Sequence, residues 1–377
     1  MGSAELPRRE TVEAVSRTNS KVLSLYSIWD RIVGFLRALV FLLRLMLDIY
    51  GGVNCRSEEI GDVKAMVYTP FFGKPCGVIL VLPGLSPSGE DDIRVAQLSK
   101  ALAGSGYVAI VPSSKRYRNI EISKVQIDDL VSFSEAVERR QDICPDGELS
   151  VISVCISAGF ALIAATKHFY RSLLCIGAYG NAENVVMVHM LGDQEDDYGR
   201  NSMFYNFYDL YQGEDPEMRE LFYARITDNH NETHSIHTEL LKKKMQLYPN
   251  AAEKYDKLMF DEEMRRKVVE NLWPKVKARM SYLSPENHVS KIMTNLTVFV
   301  HGLDDDVVAP GESLALYEKF VAANQPASVD TSPLLGHANK QIPIPDLEFF
   351  RNVFNLYRAF ASFLTLASGP VPQKGRE

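Results

Sequence analysis

The 377-residue chain has 41 Lys and Arg against 48 Asp and Glu, a formal charge of −7, with 46% hydrophobic and 24% charged residues. Those proportions are ordinary for a globular chain and exclude wholesale disorder, a collagen-like repeat and a polytopic membrane protein. There is no basic excess to neutralise a phosphate backbone, so no nucleic-acid partner is expected.

In chain order, residues 1–21 are polar and are expected to stay free of the fold. They are too long and too acidic for the start of a usual secretory signal, and Leu6 stands where a myristoylation signal wants Ser or Thr. Residues 32–50 are apolar, interrupted by Arg37, Arg44 and Asp48. Asp30, Arg37 and Arg44 drift by only roughly 20° per heptad step, and Asp48 lies one turn beyond. All four therefore share a narrow polar stripe on an apolar helix. Three placements follow: in a membrane interface with the arginines toward headgroups, docked on the protein body or a second subunit, or spanning a bilayer. The expected partner of residues 28–50 is a membrane surface, and the expected location is the cytoplasm or the cytoplasmic face of a membrane. The five cysteines, Cys55, Cys76, Cys144, Cys155 and Cys175, are widely spaced and contain no CxxC pair, in keeping with a reducing compartment.

From residue 64 short apolar runs alternate with helical patterns. Strands are expected at 64–70, 77–84, 106–113, 148–154, 173–180 and 295–302. Helices are expected at 91–105, 122–140, 159–169, 311–323 and 346–366. This alternation requires right-handed crossovers and a mostly parallel α/β sheet. More than a hundred residues separate the last two strands, with helical patterns at 214–228, 237–247, 251–259 and 261–280. A structureless loop of that length is not expected, so they read as a helical insertion. The organisation is then 1–57 for the polar N-terminus and membrane-facing helix, 58–180 with 290–370 for the core, and 181–289 for a helical cap.

Three motifs carry chemistry. ELSVISVCISAGFALIAA (148–165) reads as strand, sharp turn and helix, with a nucleophile between small residues. Two registers fit. Cys155 is flanked by Ser153 and Ser157; Ser157 is flanked by Cys155 and Gly159. The residue three past the nucleophile meets neighbouring strands and is usually small, which favours Cys155 (followed by Ala158) over Ser157 (followed by Phe160). CISAG is the more familiar string, and serine the commoner nucleophile, so both stay open. HGLDDDVVAP (301–310) places Asp305 where an acid would orient a histidine, and SPLLGHANKQIP (332–343) places His337 in a loop before the last helix. The order nucleophile, acid, histidine is that of triads whose members meet above a sheet. After the strand at 77–84, the turn beyond Pro83-Gly84 would offer the Leu85 N–H to an oxyanion, and Ile156 would supply the second donor.

From residue 64 onward, LPGLSPSGEDD, the elbow and HGLDDDVVAP resemble an α/β-hydrolase, with likeness to dienelactone-hydrolase-like and serine esterase members. Dienelactone hydrolases use a cysteine nucleophile, which gives Cys155 a precedent. Ser153 and Ser157 stand where glycines are usual, and Pro83 where the family often has His. The resemblance implies hydrolysis of a carboxylic ester, thioester or lactone through an acyl-enzyme, with His337 as base and Asp305 as its orienting acid; a small-molecule or lipid acyl substrate is expected, a lipid ester being the one that suits the apolar helix. An acyltransferase on the same fold, or a non-catalytic binding protein of hydrolase form, are the rival readings. No cofactor is expected. His230, His234 and His237 share helical spacing, but no carboxylate or cysteine completes the set, so no metal is expected.

Overall fold

The computed structural model describes residues 14–18, 26–192, 197–230, 239–335 and 347–369. Among these, nine strands form one sheet: β1 (Ser16–Thr18), β2 (Val53–Ile60), β3 (Val63–Pro70), β4 (Val78–Leu82), β5 (Val108–Pro112), β6 (Ser150–Val154), β7 (Leu173–Ile176), β8 (Thr297–Gly302) and β9 (Ala327–Ser332). Their order is β1-β9-β8-β7-β6-β4-β5-β3-β2. Strands β4 to β9 are mutually parallel. The edges are antiparallel, with β3 against β5, β2 against β3 and β1 against β9. The central strands are covered on both faces, which is why VILVL and VAIVP are continuously apolar and wholly buried.

One face is covered by α1 (Ile28–Met46), α2 (Ile93–Gly104) and α14 (Leu347–Ala367). The other is covered by α4 (Val125–Glu138), α5 (Ile156–Ala164) and α13 (Pro310–Ala322), after the short α3 (Lys115–Arg118). Between β7 and β8 the described residues form seven α-helices: α6 (Ala182–Leu191), α7 (Tyr198–Phe207), α8 (Asp209–Gln212), α9 (Pro216–His230), α10 (Glu239–Leu247), α11 (Pro249–Phe260) and α12 (Glu262–Met280). Their aromatic residues form the insertion's own core, as where Phe222 packs on Phe204, Tyr208 and Tyr255 at ring separations of 5.9, 5.6 and 5.6 Å.

Two expectations need correction. Residues 1–21 are not all free of the fold: Ser16–Thr18 pairs with Ser328–Asp330 on the edge of β9. A polar tripeptide leaves no periodic signal, because an edge strand needs only backbone groups. The polar stripe of α1 is also split, with Arg37 and Arg44 turned toward the body while Asp30 and Asp48 stay exposed. Arg44 lies against Gly104 and donates to the Gly51 carbonyl, and Arg37 lies beside Gly106, so both face the turn between α2 and β5. The negative end of the α2 dipole accounts for their place there. Gly34, Ala38, Phe41 and Leu42 dock α1 on the body. Gly34 is needed because a Cβ would come within 2.1 Å of Thr365 Oγ1 on α14. Tyr357 of α14 completes the joint by donating to the Phe35 carbonyl at 2.9 Å. Among the described residues no helix is long and apolar enough to cross a membrane.

Candidate active site

The elbow begins where β6 ends. Cys155 has φ 55° and ψ −126° and caps the N-terminus of α5. That backbone conformation is rare for an L-residue and costs on the order of 1–3 kcal/mol, and strain of this kind collects at functional sites. The turn is held by the Cys155 N–H donating to Ile176 O at 2.8 Å and the Ala158 N–H donating to Cys155 O at 3.0 Å. Cys155 is half-buried and Ala158 fully buried. Gly159 permits the tight crossing beneath, since a Cβ there would lie 2.2 Å from the Tyr179 hydroxyl oxygen. Burial pushes the Tyr179 phenol far up, and the nearby Cys155 adds to that.

Ser157 sits inside the turn. It is fully buried; its hydroxyl donates to Val154 O at 2.7 Å and accepts from the Val154 N–H at 3.1 Å, with Leu82 O at 3.4 Å. It staples α5 to the ends of β6 and β4. Ser153 is also fully buried, with its hydroxyl 3.4 Å from Leu174 O. Ser157 thus fills the elbow with local hydrogen bonds, whereas Ser153 reaches across to β7.

The loop after β4 approaches Cys155 from the neighbouring strand. A Cβ at Gly84 would lie 3.7 Å from the Cβ of Cys155. Leu85 follows, half-buried, and its carbonyl accepts from the Tyr198 hydroxyl of α7 at 2.6 Å. Further along, Arg118 donates to Glu90 at 3.0 Å and to Asp91 at 2.6 Å. Burial of Glu90 opposes its charge, but hydrogen bonds from Arg118 and Ser113 outweigh it and hold the carboxyl below the usual range. Asp92 then caps α2 by accepting from the Arg94 N–H at 2.9 Å. Ile156 opens α5, where helical N–H groups have no carbonyl partner within the helix.

Asp305 lies in the turn after β8, nearly fully buried, while Asp304 and Asp306 are exposed. Its Oδ1 accepts from the N–H groups of Val307 and Val308, both at 2.9 Å. Its Oδ2 is 3.3 Å from His301 Nε2. His301 is fully buried, with Nδ1 2.7 Å from Ser313 Oγ and Nε2 2.9 Å from Val308 O. Ser313 in turn donates to Ala178 O at 2.8 Å. This network was not foreseen: His301 ends an apolar strand and reads there as part of it, and its spacing of four to Asp305 is the one signal that could have joined them.

Cys155 and Asp305 follow β6 and β8, which β7 separates, so two strand spacings, roughly 10 Å, lie between their strands. His337, from the loop after β9, lies outside the described residues, as do His234 and His237; no metal-ligating cluster occurs among the described residues.

No protein-family model matches the sequence, and no curated protein matches it. Solved structures do match. A Mycobacterium tuberculosis puromycin-hydrolyzing peptidase is similar at 12% identity and TM-score 0.50 over 85% of this chain and 40% of that one. An acylaminoacyl peptidase in complex with Z-Gly-Gly-Phe-chloromethyl ketone is similar at 12% identity and TM-score 0.50 over 88% of this chain and 45% of that one. A thermostable esterase from Pseudomonas putida matches at 15% identity over 85% of both chains, with TM-score 0.45. The chain spans less than half the length of the two peptidases. The sheet order, the strained elbow and the likeness to the two peptidases agree on one architecture: the chain has the α/β-hydrolase fold.

Proposed function

We propose that the chain is an acyl hydrolase working through a covalent intermediate on Cys155, with carboxylic esters, thioesters or lactones as substrates. The observation that carries this reading is the backbone of Cys155, held at φ 55° between β6 and α5. Strain at this position has no packing use, since glycine would avoid it; its effect is to lift a side chain clear of the strand end. The thiolate would sit at the N-terminus of α5, where free N–H groups favour negative charge.

In the acylation step His337 takes the thiol proton and the sulfur attacks the substrate carbonyl carbon. The Leu85 and Ile156 N–H groups receive the oxyanion. Collapse expels the leaving group, which takes the proton from His337, and a thioester remains on Cys155. Water, deprotonated by the same histidine, then releases the acid and restores the thiol. Asp305 holds the imidazole, and His301 is a positioning residue for Asp305. Ser157 is not the nucleophile in this reading, because its hydroxyl is committed within the elbow.

The test is intact-mass labelling with iodoacetamide and, separately, a fluorophosphonate between pH 5 and 9, on wild type, Cys155→Ala and Ser157→Ala. Rapid alkylation near neutral pH that is lost in Cys155→Ala is expected. Fluorophosphonate labelling lost only in Ser157→Ala would overturn the assignment, and no labelling of folded protein by either reagent would overturn the enzymatic reading.

A further inference from the structure

We infer that Tyr198, at the start of α7 in the helical insertion, is a positioning residue for the oxyanion: its hydroxyl fixes the loop whose Leu85 N–H receives the charge that develops in acyl transfer. This rests on the acyl-hydrolase reading of Cys155. Leu85 belongs to no helix or strand that could aim its N–H. β4 ends at Leu82, which is in register with Ser153 of β6. Pro83 and Gly84 then carry the chain past Cys155, where a Cβ at Gly84 would lie 3.7 Å from the Cβ of Cys155. Beyond Leu85 the chain turns: the Gly89 N–H donates to Ser86 O at 2.9 Å and the Ser88 N–H to Ser86 Oγ at 3.2 Å. Between the strand end and that turn, the Tyr198 hydroxyl donates to Leu85 O at 2.6 Å. This is at the short end for an O–H···O bond. Peptide units are planar, and the N–H and carbonyl of one residue are joined through its Cα. A carbonyl held on one side and a strand end held on the other leave the Leu85 N–H little room to swing.

The hydroxyl is itself held, because both chain neighbours of Tyr198 are tied to the insertion. Arg225 Nε of α9 donates to Asp197 at 2.8 Å. Gly199 lies against the ring of His189 on α6, where a Cβ would collide with it. Asn201, in the same turn, donates to Asp197 O at 2.9 Å and accepts from the Tyr255 hydroxyl of α11 at 2.8 Å. At the far end of α7, Asn206 grips the core. Its Nδ2 donates to Ile120 O and its Oδ1 accepts from the Ile122 N–H, both at 2.8 Å. Ile120 has φ 56°, and a β-branched residue keeps that conformation only where its surroundings over-determine it. α7 therefore reaches from the loop after β4 to the loop after α3 and is fixed at both ends. A donor aimed in advance by a rigid element needs no reorganisation when charge develops, which is the source of its effect.

The experiment compares the full chain with Tyr198→Phe, which removes only the hydroxyl, and times two reactions of Cys155 by intact mass. Acylation by an activated ester passes through a tetrahedral oxyanion. Alkylation by iodoacetamide displaces iodide directly and forms none. Acylation should slow by about ten- to a hundredfold in Tyr198→Phe, the order of loss that a misplaced donor causes, whereas alkylation should stay within about twofold. In steady-state turnover of the same ester, kcat should fall while KM stays within about twofold, a split that loss of folded protein would not give. Acylation of Tyr198→Phe at the wild-type rate would overturn the inference and leave the acyl-hydrolase reading standing. A fall in alkylation equal to the fall in acylation would also overturn it, since the hydroxyl would then act on the thiol or on access to it. Folded wild type that neither reagent modifies at Cys155 would overturn the acyl-hydrolase reading, and this inference with it.

Discussion

Replacing Ser157 by alanine distinguishes the two registers of the elbow, because each assigns the hydroxyl a different task. The hydroxyl donates to Val154 O at 2.7 Å and accepts from the Val154 N–H at 3.1 Å. Alanine removes both bonds and places only a methyl group near these backbone atoms. A typical hydrogen bond contributes about 0.5–1.5 kcal/mol net, and a buried partner left unsatisfied costs about 1–3 kcal/mol. Part of the turn remains open to water beside the half-buried Cys155, so the loss should be about 2 kcal/mol. In urea unfolding this appears as a midpoint lower by roughly 1 M or less with the slope unchanged, for slopes of about 2–3 kcal/mol/M or above. Iodoacetamide should still label Cys155. A variant as stable as wild type, within about 0.5 kcal/mol, that has lost all ester turnover would refute the reasoning and make Ser157 the reacting group.

Cys155→Gly should abolish labelling yet raise stability by about 1 kcal/mol, since glycine relieves the left-handed strain but adds chain entropy to the unfolded state; urea midpoints compare the two chains. His301→Phe removes the contacts to Ser313, Val308 and Asp305, and should lower kcat while KM for a small ester stays within about twofold, a split that loss of stability alone would not give. Burial pushes the Asp330 carboxyl up to about 7, against weaker opposing effects of Ser16 and Arg358. A raised acid favours the folded state while protonated, so its contribution is fully present below the unfolded value of about 4 and is lost as pH rises through about 7. Asp330→Asn should therefore flatten the fall in stability between pH 5 and 8, by on the order of a few kcal/mol, in urea titrations at the two pH values; an unchanged pH dependence would show that the group does not titrate there.

The parallel core was legible because its strands are continuously apolar and its helices keep a 3.6-residue period. The edges were not. In β2, VNCRSEEI, most side chains are exposed, so no alternation marks a face. β9 reads ASVDTS, polar by composition, although five of its six residues are buried. Asp330 lies near Ser16 of β1 and Arg358 of α14, and Thr331 accepts from the Val15 N–H, a tertiary arrangement that no local pattern carries. The stripe on α1 was visible, but polarity alone does not say whether charge faces water or the end of another helix. At the site, the order of motifs and the small Ala158 pointed to a turn at Cys155. The roles of Ser157 within that turn, of Tyr198 on the Leu85 loop and of His301 beside Asp305 depend on contacts between segments distant in sequence or brought together by a turn.

The most direct test of the central claim is capture of the acyl-enzyme. The full chain, mixed with an activated ester and quenched in acid within the first turnovers, should gain the mass of one acyl group, mapped by peptide fragmentation to Cys155 and absent from Cys155→Ala. An acyl group on Ser157, or ester turnover with unmodified Cys155 throughout, would contradict the account.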